Sequence, residues 1–293
     1  MGNSTGPRLV VFGDEGKNNV RGAIEEFSGF VKGRAEIIAK CEIEDFRSEM
    51  LDGAGFAVVF GGDGTIIAVA RKLSGFDVPI IGVNLGKLGF LAEFGVEELT
   101  SQFDQIVGGN AVVEKRVVLN CQLLRDDEVE FSSSAINDVF ITSGPPFRMI
   151  ELKVSVDDQA IASCVSDGLV ICTPTGSTAY NLSAGGPILS AKMEAIGVTP
   201  ICPHSLSFRA IVINSKSKVE ISGIRVNEGT TLSIDGQIWR KLSIDEVVRI
   251  ERHEGDFLVV NNPLRTQWDT LATKLGWAEQ PKYNRNRILR DPE

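Results

Sequence analysis

The five residues Gly61-Gly62-Asp63-Gly64-Thr65 follow the apolar run Phe56 to Phe60 and precede a stretch of helical character. Glycines let a backbone approach a ligand closely and take positive φ. Backbone N–H groups at a helix start favour a phosphate. A carboxylate is not needed to bind that phosphate and would repel it. It makes sense if it holds a hydroxyl or a metal ion, so Asp63 points to phosphoryl transfer with a base beside the phosphates. A plain strand-to-helix turn draws on the same residue types.

A second segment runs from Ser166-Asp167-Gly168 through the apolar Leu169 to Cys172 into Thr173-Pro174-Thr175-Gly176-Ser177-Thr178-Ala179-Tyr180-Asn181-Leu182-Ser183-Ala184-Gly185-Gly186-Pro187. Hydroxyls and backbone groups this dense can read a nucleoside by its edges, and Tyr180 can stack or donate. A long loop capping a helix is the plainer reading, but its length favours binding. Third, Asn137-Asp138 interrupts the apolar Ala135-Ile136 and Val139-Phe140-Ile141. An amide beside a carboxylate suits a ribose diol; taken alone, the pair reads better as a bulge or strand end in solvent.

Other phosphate motifs are missing. Gly13-Asp14-Glu15-Gly16-Lys17-Asn18 lacks the spacing and the Ser or Thr of a P-loop. Neither Gly62-Asp63-Gly64 nor Gly53-Ala54-Gly55 completes a dinucleotide fingerprint, since Ile67 and Val58 stand where a third small residue belongs.

The elements that must position these residues fall into two halves. From Arg8 to about Val113, strands and helices alternate. Leu9 to Phe12, Phe56 to Phe60 and Pro79 to Val83 read as buried strands. One helix carries Ile24, Phe27 and Val31 on one face, and another spans Thr65 to Leu73. That pattern predicts a parallel sheet covered on both faces. From about Glu114 the pattern turns to β. Ile150 to Asp157 alternates apolar and polar, and Leu169 to Cys172, Ala210 to Ile213, Val219 to Ile221, Leu232 to Ile234 and Val247 to Ile250 are further short strands, with turns at Asp157-Asp158 and Asp235-Gly236. A helix is expected within Thr178 to Ser190 and another from Trp268 to Leu275. Trp239, Trp268 and Trp277 read as packing residues, and the end with Lys282, Arg285, Arg287 and Arg290 as a solvated tail.

Composition narrows the class. The 293 residues carry 30 Lys plus Arg against 39 Asp plus Glu, a formal net charge of −9. The acidic balance argues against non-specific nucleic-acid binding and against a basic membrane-surface protein. No apolar stretch approaches the length of a membrane span. Met1-Gly2-Asn3-Ser4-Thr5-Gly6 is not a signal peptide or a myristoylation site. Five scattered cysteines and two distant histidines, His204 and His253, point to a reducing cytoplasmic setting without a structural zinc or disulfide framework.

In this order, the motifs resemble those of the NAD kinase family. The matches are Gly61-Gly62-Asp63-Gly64-Thr65, Asn84-Leu85-Gly86-Lys87-Leu88-Gly89-Phe90-Leu91, Asn137-Asp138, Asp167-Gly168, Thr173 to Tyr180, Pro203-His204-Ser205-Leu206-Ser207 and Asp235-Gly236-Gln237. They span nearly the whole chain. The first is shared with lipid kinases and phosphofructokinases; the run from Thr173 to Tyr180 is far more specific. The resemblance implies a Rossmann-like α/β N-terminal domain (1–113, carrying the first motif), a β-rich, β-sandwich-like NAD-binding domain (114–262) and a segment (263–293) returning to the first domain. It implies transfer of the ATP γ-phosphoryl to the 2′-hydroxyl of the adenosine ribose of NAD, with ATP or polyphosphate as donor and Mg²⁺ carried by the nucleotide rather than by a protein metal site.

The same resemblance makes Asp63 the general base. It places Gly62, Gly64, Phe90, Asn137, Asp138, Arg148, Asp167, Thr178, Ala179, Tyr180, Asn181, Ser183 and Gln237 among the residues binding substrate. Part of the site would come from a second subunit of a homodimer or homotetramer. Arg148 can equally be a surface ion pair, and His204 reads as a structural hydrogen-bonding residue. Two departures stand out. Val165-Ser166 replaces the family's Arg-Gly or Gln-Gly, which removes a polar contact and sets Ser at a position often given to Gly. Asn-Asp replaces the commoner Asn-Glu, one methylene shorter. Both bear on affinity and donor preference rather than on reaction type. A kinase for a lipid or sugar phosphate, and a non-catalytic nucleotide-binding regulator, remain as alternatives.

Overall fold

The computed structural model describes residues 6–86 and 89–276. The basic tail, Trp277, the first five residues and Lys87-Leu88 of the Asn84 to Leu91 motif lie outside the described residues. The first half runs β1 (Arg8–Phe12), α1 (Asn18–Val31), β2 (Glu36–Cys41), β3 (Phe56–Phe60), α2 (Asp63–Leu73), β4 (Ile80–Val83), α3 (Val96–Gln105) and β5 (Val113–Arg116). The second half runs β6 (Leu119–Arg125), β7 (Glu128–Ala135), β8 (Asp138–Thr142), β9 (Ile150–Val156), β10 (Gln159–Ser166) and β11 (Gly168–Cys172). It continues with the single-turn α4 (Tyr180–Ser183), β12 (Ala195–Ile201), β13 (Ile211–Asn214), β14 (Val219–Arg225), β15 (Thr231–Ile234), β16 (Ile238–Lys241) and β17 (Glu246–Arg252). The last elements among the described residues are β18 (Phe257–Val260) and α5 (Gln267–Leu275).

The first sheet has the order β2-β1-β3-β4-β18-β5 and is parallel except at β5. Its strands are apolar on both faces because both faces are covered. Val10, Phe12, Ala57 and Val59 pack with Ile66, Ile67, Val69, Ala70 and Leu73 of α2. Leu9, Val11, Val58 and Phe60 pack on the opposite face with α1 and α3. In α1 the buried residues Val20, Ala23, Ile24, Phe27 and Val31 recur at helical spacing.

The second half forms two six-stranded antiparallel sheets, β10-β9-β14-β17-β6-β7 and β13-β12-β11-β8-β15-β16. Their inner residues, among them Leu152, Val154, Ile221 and Ile250 against Val139, Ile141, Ile171 and Val198, share one core. This is the expected α/β domain followed by a β-sandwich. Sheet membership shifts the expected boundaries: β18 has already returned to the first sheet before residue 263, and β5 belongs there as well.

Three further expectations change. The helix expected within Thr178 to Ser190 is one 3₁₀ turn, Thr175–Thr178, and the single turn α4, because Gly185, Gly186 and Pro187 follow at once and Gly185 takes a φ of 84°. Helix α2 begins at Asp63 rather than Thr65, so the acid sits in its first turn. Trp239 and Trp268 are each 52% exposed and do not belong to the core.

Candidate functional site

Strand β3 is buried and delivers the chain to Gly61; Gly62 caps α2, and Asp63 opens the helix. The chain leaving β4 then closes over Asp63. The Phe90 N–H donates to Asp63 Oδ2 at 2.9 Å, and the Leu91 and Ala92 N–H groups donate to Oδ1 at 3.0 and 3.1 Å. The approach is so close that a Cβ at Gly89 would stand 1.9 Å from Oδ1. A carboxylate offers about four lone-pair directions. Oδ1 receives two donors from this loop and Oδ2 one, so Oδ2 keeps room for a further partner. The Lys274 Nζ lies 3.6 Å from Oδ2 and 4.6 Å from the Phe90 ring centroid.

Beside this cradle, the second domain grips α2. Asp235, in the β15–β16 turn, accepts from the backbone N–H groups of Ile136, Asn137 and Asp138 at 3.1, 2.7 and 3.1 Å. Its side chain is fully buried, and Arg71 of α2 reaches it at 2.9 Å. Arg71 also donates to the Gln237 side-chain carbonyl at 2.8 Å, and the Gln237 amide donates to the Gly64 carbonyl at 2.9 Å. Gln237 therefore touches the Asp63 motif directly.

The expectation that Asn137-Asp138 sits in solvent does not hold. Asp138 opens β8 and is 3% exposed. Burial pushes its carboxyl up to about 7, Asp235 pushes the same way, and the Tyr180 backbone N–H pulls against both. Asn137 is half-buried, and its carbonyl accepts from Thr173 N at 2.8 Å. The loop presses down here: a Cβ at Gly176 would meet the Asn137 carbonyl oxygen at 2.0 Å. Tyr180 is 36% exposed and lies over Phe140, ring centroids 4.7 Å apart, with Trp239 on the same ring at 5.8 Å. Burial, and then the charges of Asp138, Cys202 and Asp167, raise its phenol. The outer face of the third sheet is thus an aromatic shelf with carboxylates at both ends.

The remaining expected residues divide. Thr178 and Ala179 are half-buried on the loop, and Ser183 is exposed. Asn181 is fully buried, its amide donates to the Ser177 and Pro187 carbonyls, and its oxygen accepts from Thr199. These bonds hold the loop's shape. Asp167 and Arg148 lie beyond the far end of β8, whose five residues at ~3.3 Å each separate them from Asp138 by roughly 15 Å. Arg148 is exposed, and among the described residues no ion pair engages it. His204 is exposed, and its backbone N–H bonds the Val165 carbonyl. Ser166 fits without glycine's freedom: its φ is not positive, and its buried hydroxyl donates to the Gly168 carbonyl at 2.9 Å.

Sequence reasoning missed Arg71, Asp235 as a ligand of backbone, and Lys274. Arg71 and Lys274 each stand in the last turn of a helix, where a basic residue is read as dipole compensation. Asp235 looked like a turn residue, which it also is, with a φ of 52°.

Residues 14–111 match the family model described as the ATP-NAD kinase N-terminal domain, and residues 136–262 match the ATP-NAD kinase C-terminal domain. An NAD kinase of Rhodopirellula baltica is 36% identical over 275 residues, 93% of this chain and 87% of the relative. One from Geobacter metallireducens is 40% identical over 232 residues, 79% of this chain and 82% of the relative. Among solved structures, an Archaeoglobus fulgidus NAD kinase in complex with ATP superposes with a TM-score of 0.72 at 26% identity, covering 92% of this chain and 98% of that one. Yeast NADH kinase complexed with NADH shares the fold at a TM-score of 0.82 and 24% identity, covering 95% and 90%.

Proposed function

The chain belongs to the NAD kinase family, and from that premise we propose that it transfers the γ-phosphoryl group of ATP to the 2′-hydroxyl of the adenosine ribose of NAD, forming NADP. The observation that carries the detail is the Asp63 carboxylate, fixed by three backbone N–H groups with Oδ2 open. Oδ2 is the oxygen that takes the 2′-hydroxyl proton as attack proceeds. A base positioned this way contributes typically ~10² to 10⁴-fold.

The donor phosphates approach Gly62 and the start of α2, where a cavity of about 300 Å³ is lined by Gly61, Gly62, Thr65, Asn84 and Lys17. Polyphosphate fits the same description as ATP. Asn137 and Asp138 hold the ribose of NAD. Gln237 sets their distance from the Asp63 motif. Tyr180, stacked on Phe140, offers its exposed side to the nucleotide beside Thr178, Ala179 and Ser183, and Phe90 closes the side next to Asp63. Asp167 and exposed Arg148 serve the far end of the shelf, completed by a second subunit of a homodimer or homotetramer. Residues 1–113, 114–262 and 263–293 are read as donor domain, acceptor domain and returning segment, with β18 assigned to the return.

Among the described residues no group of three or more His, Cys, Asp or Glu is placed to hold a metal. The metal of the reaction is proposed to be Mg²⁺ carried by the nucleotide, since Mg²⁺ keeps several waters and leans on substrate phosphates. When bound, the ion supplies charge neutralisation on those phosphates. No helix among the described residues is long and apolar enough to cross a membrane, and the cytoplasm, where ATP and NAD are at hand, is the proposed compartment.

The test is NADP formation from ATP, Mg²⁺ and NAD, read through an NADP-specific dehydrogenase, with Asp63→Asn alongside. The expected result is turnover by wild type and a loss of about 10²-fold or more in kcat for the variant while it still binds NAD. Absence of NADP from wild type with both ATP and polyphosphate would overturn the reading.

A further inference from the structure

We infer that Lys274 is a reacting-site cation: it leaves Asp63 Oδ2 when the substrates bind and neutralises the phosphoryl group as that group passes to the acceptor hydroxyl. This rests on the NAD kinase reading above and deepens it.

The argument starts from the free position on Asp63. Oδ1 is taken by two backbone donors and Oδ2 by one. The acceptor hydroxyl must therefore come to Oδ2, the oxygen that Lys274 faces at 3.6 Å. That distance is too long for a hydrogen bond, and charge-assisted bonds close to about 2.7–2.9 Å. Lys274 is thus held by field and by the Phe90 ring, 4.6 Å from its Nζ, not locked by a bond. Its side chain is 29% exposed and that of Asp63 30%, so both face open space where a ligand can enter. A lysine is a compact charge on a flexible stem, suited to following a phosphate.

Among the described residues, the other cations nearby have partners of their own. Arg71 is bonded to Asp235 and Gln237. Arg116 is buried against Glu114 at 2.9 Å. Lys17, on the donor cavity, pairs with Asp14 at 3.0 Å. Among the described residues, Lys274 is the one cation within ion-pair reach of Asp63.

Helix α5 is anchored as a presenting arm should be. Thr266 accepts from the Asp269 N–H at 3.2 Å and Asp269 accepts from the Thr266 N–H at 2.8 Å, a capping box. The Gln267 side chain bonds both Ala191 and Leu189, and Leu271 is fully buried. Asn262 and Arg265, just before the helix, bond the Glu93 carbonyl at 3.1 and 2.9 Å. The arm carrying Lys274 is therefore tied to the same loop that fixes Asp63.

The step balances as follows. The acceptor oxygen forms a bond to phosphorus, and the bond from phosphorus to the β,γ-bridging oxygen of ATP breaks. ADP leaves with that electron pair, and the hydroxyl proton passes to Asp63 Oδ2. Lys274 exchanges no atom; it follows the negative charge. Pre-placed cations of this kind are worth about 10²-fold in kcat when removed.

The experiment uses the full chain with ATP, Mg²⁺ and NAD, and compares Lys274→Met and Lys274→Arg with wild type for kcat, both KM values and the thermal midpoint. Expected for Lys274→Met is a kcat loss of about 10²-fold with KM for NAD within about threefold, and partial recovery of kcat in Lys274→Arg. A kcat within about threefold of wild type, or a loss carried wholly by KM with a lowered midpoint, overturns the inference and leaves Lys274 a clasp for α5. If Met disturbs the packing, Lys274→Ala with and without added propylammonium reads the charge alone; no recovery overturns the inference. Turnover by wild type with unaffected variants sinks the inference alone, whereas no NADP from wild type sinks the parent reading and the inference with it.

Discussion

Two aspartates in this molecule are held the same way and left in opposite conditions. Asp63 accepts three successive backbone N–H groups, from residues 90–92; Asp235 accepts three, from residues 136–138. The cation beside Asp235 is an arginine bonded at 2.9 Å, and the carboxylate is sealed. The cation beside Asp63 is a lysine at 3.6 Å, and the carboxylate is 30% exposed. A nest of N–H groups fixes a carboxylate's position in both places. What decides between clamp and reagent is whether an oxygen is left open and whether the counter-charge is free to move.

The comparison can be broken at the clamp first. Asp235→Ala strands Arg71 and three backbone donors, and breaking a buried pair costs about 3–5 kcal/mol. Urea denaturation should record that loss, whereas Asp63→Asn should cost activity far more than stability. Equal destabilisation by the two would erase the distinction.

Next in size is the cost of charging Asp138, set by its burial and then by Asp235. The Asp138 carboxyl is raised from 3.8 to about 7 by burial first and Asp235 second. A raised folded pKa means stability that is fully present below about pH 4 and is lost as pH rises through about 7. Asp138→Asn, neutral at every pH, should therefore be more stable than wild type at pH 8 by up to roughly 4 kcal/mol, with the gap closing towards pH 4. Unfolding free energies across that range check it; a gap independent of pH would count against the coupling.

The smallest effect sharpens the reagent side. Gly89→Ala sets a Cβ against Asp63 Oδ1, so the loop must shift and the carboxylate turn. A fall of about tenfold in kcat, worth ~1.4 kcal/mol, is expected with an unchanged melting temperature. Full activity would mean that the cradle tolerates displacement.

Much of this was legible in the chain. The apolar runs of β1, β3 and β4 declared the parallel sheet, because a strand buried on both faces has no alternation to hide behind. The edge strand β2, half-buried and carrying Glu36 and Lys40, gave no such signal. Asp63 and Tyr180 stood out by composition. Asp138 looked like a solvent residue because its cover, the Thr173 to Tyr180 loop, is remote in sequence. Lys274 and Arg71 were illegible for the same reason: each matters only for the acid it meets across the fold. The buried partners of Asn181, the Ser177 and Pro187 carbonyls and Thr199, were equally hidden, since its motif says nothing of them.

The place of β18 has a consequence for how the molecule is made. It lies between β4 and β5, pairing Val259 with Ile80. Until residues 257–260 leave the ribosome, β4 has an open edge and β5 has no partner in its sheet. The first domain, though translated first, cannot close first, against the usual order of N-terminal domains. Long-range strand pairing of this kind is slow to form. The sandwich, continuous in sequence from β6 to β17, is free to fold while the α/β sheet waits for its missing strand. The arm that carries α5 follows that strand directly, so Lys274 can reach Asp63 only after β18 has been made.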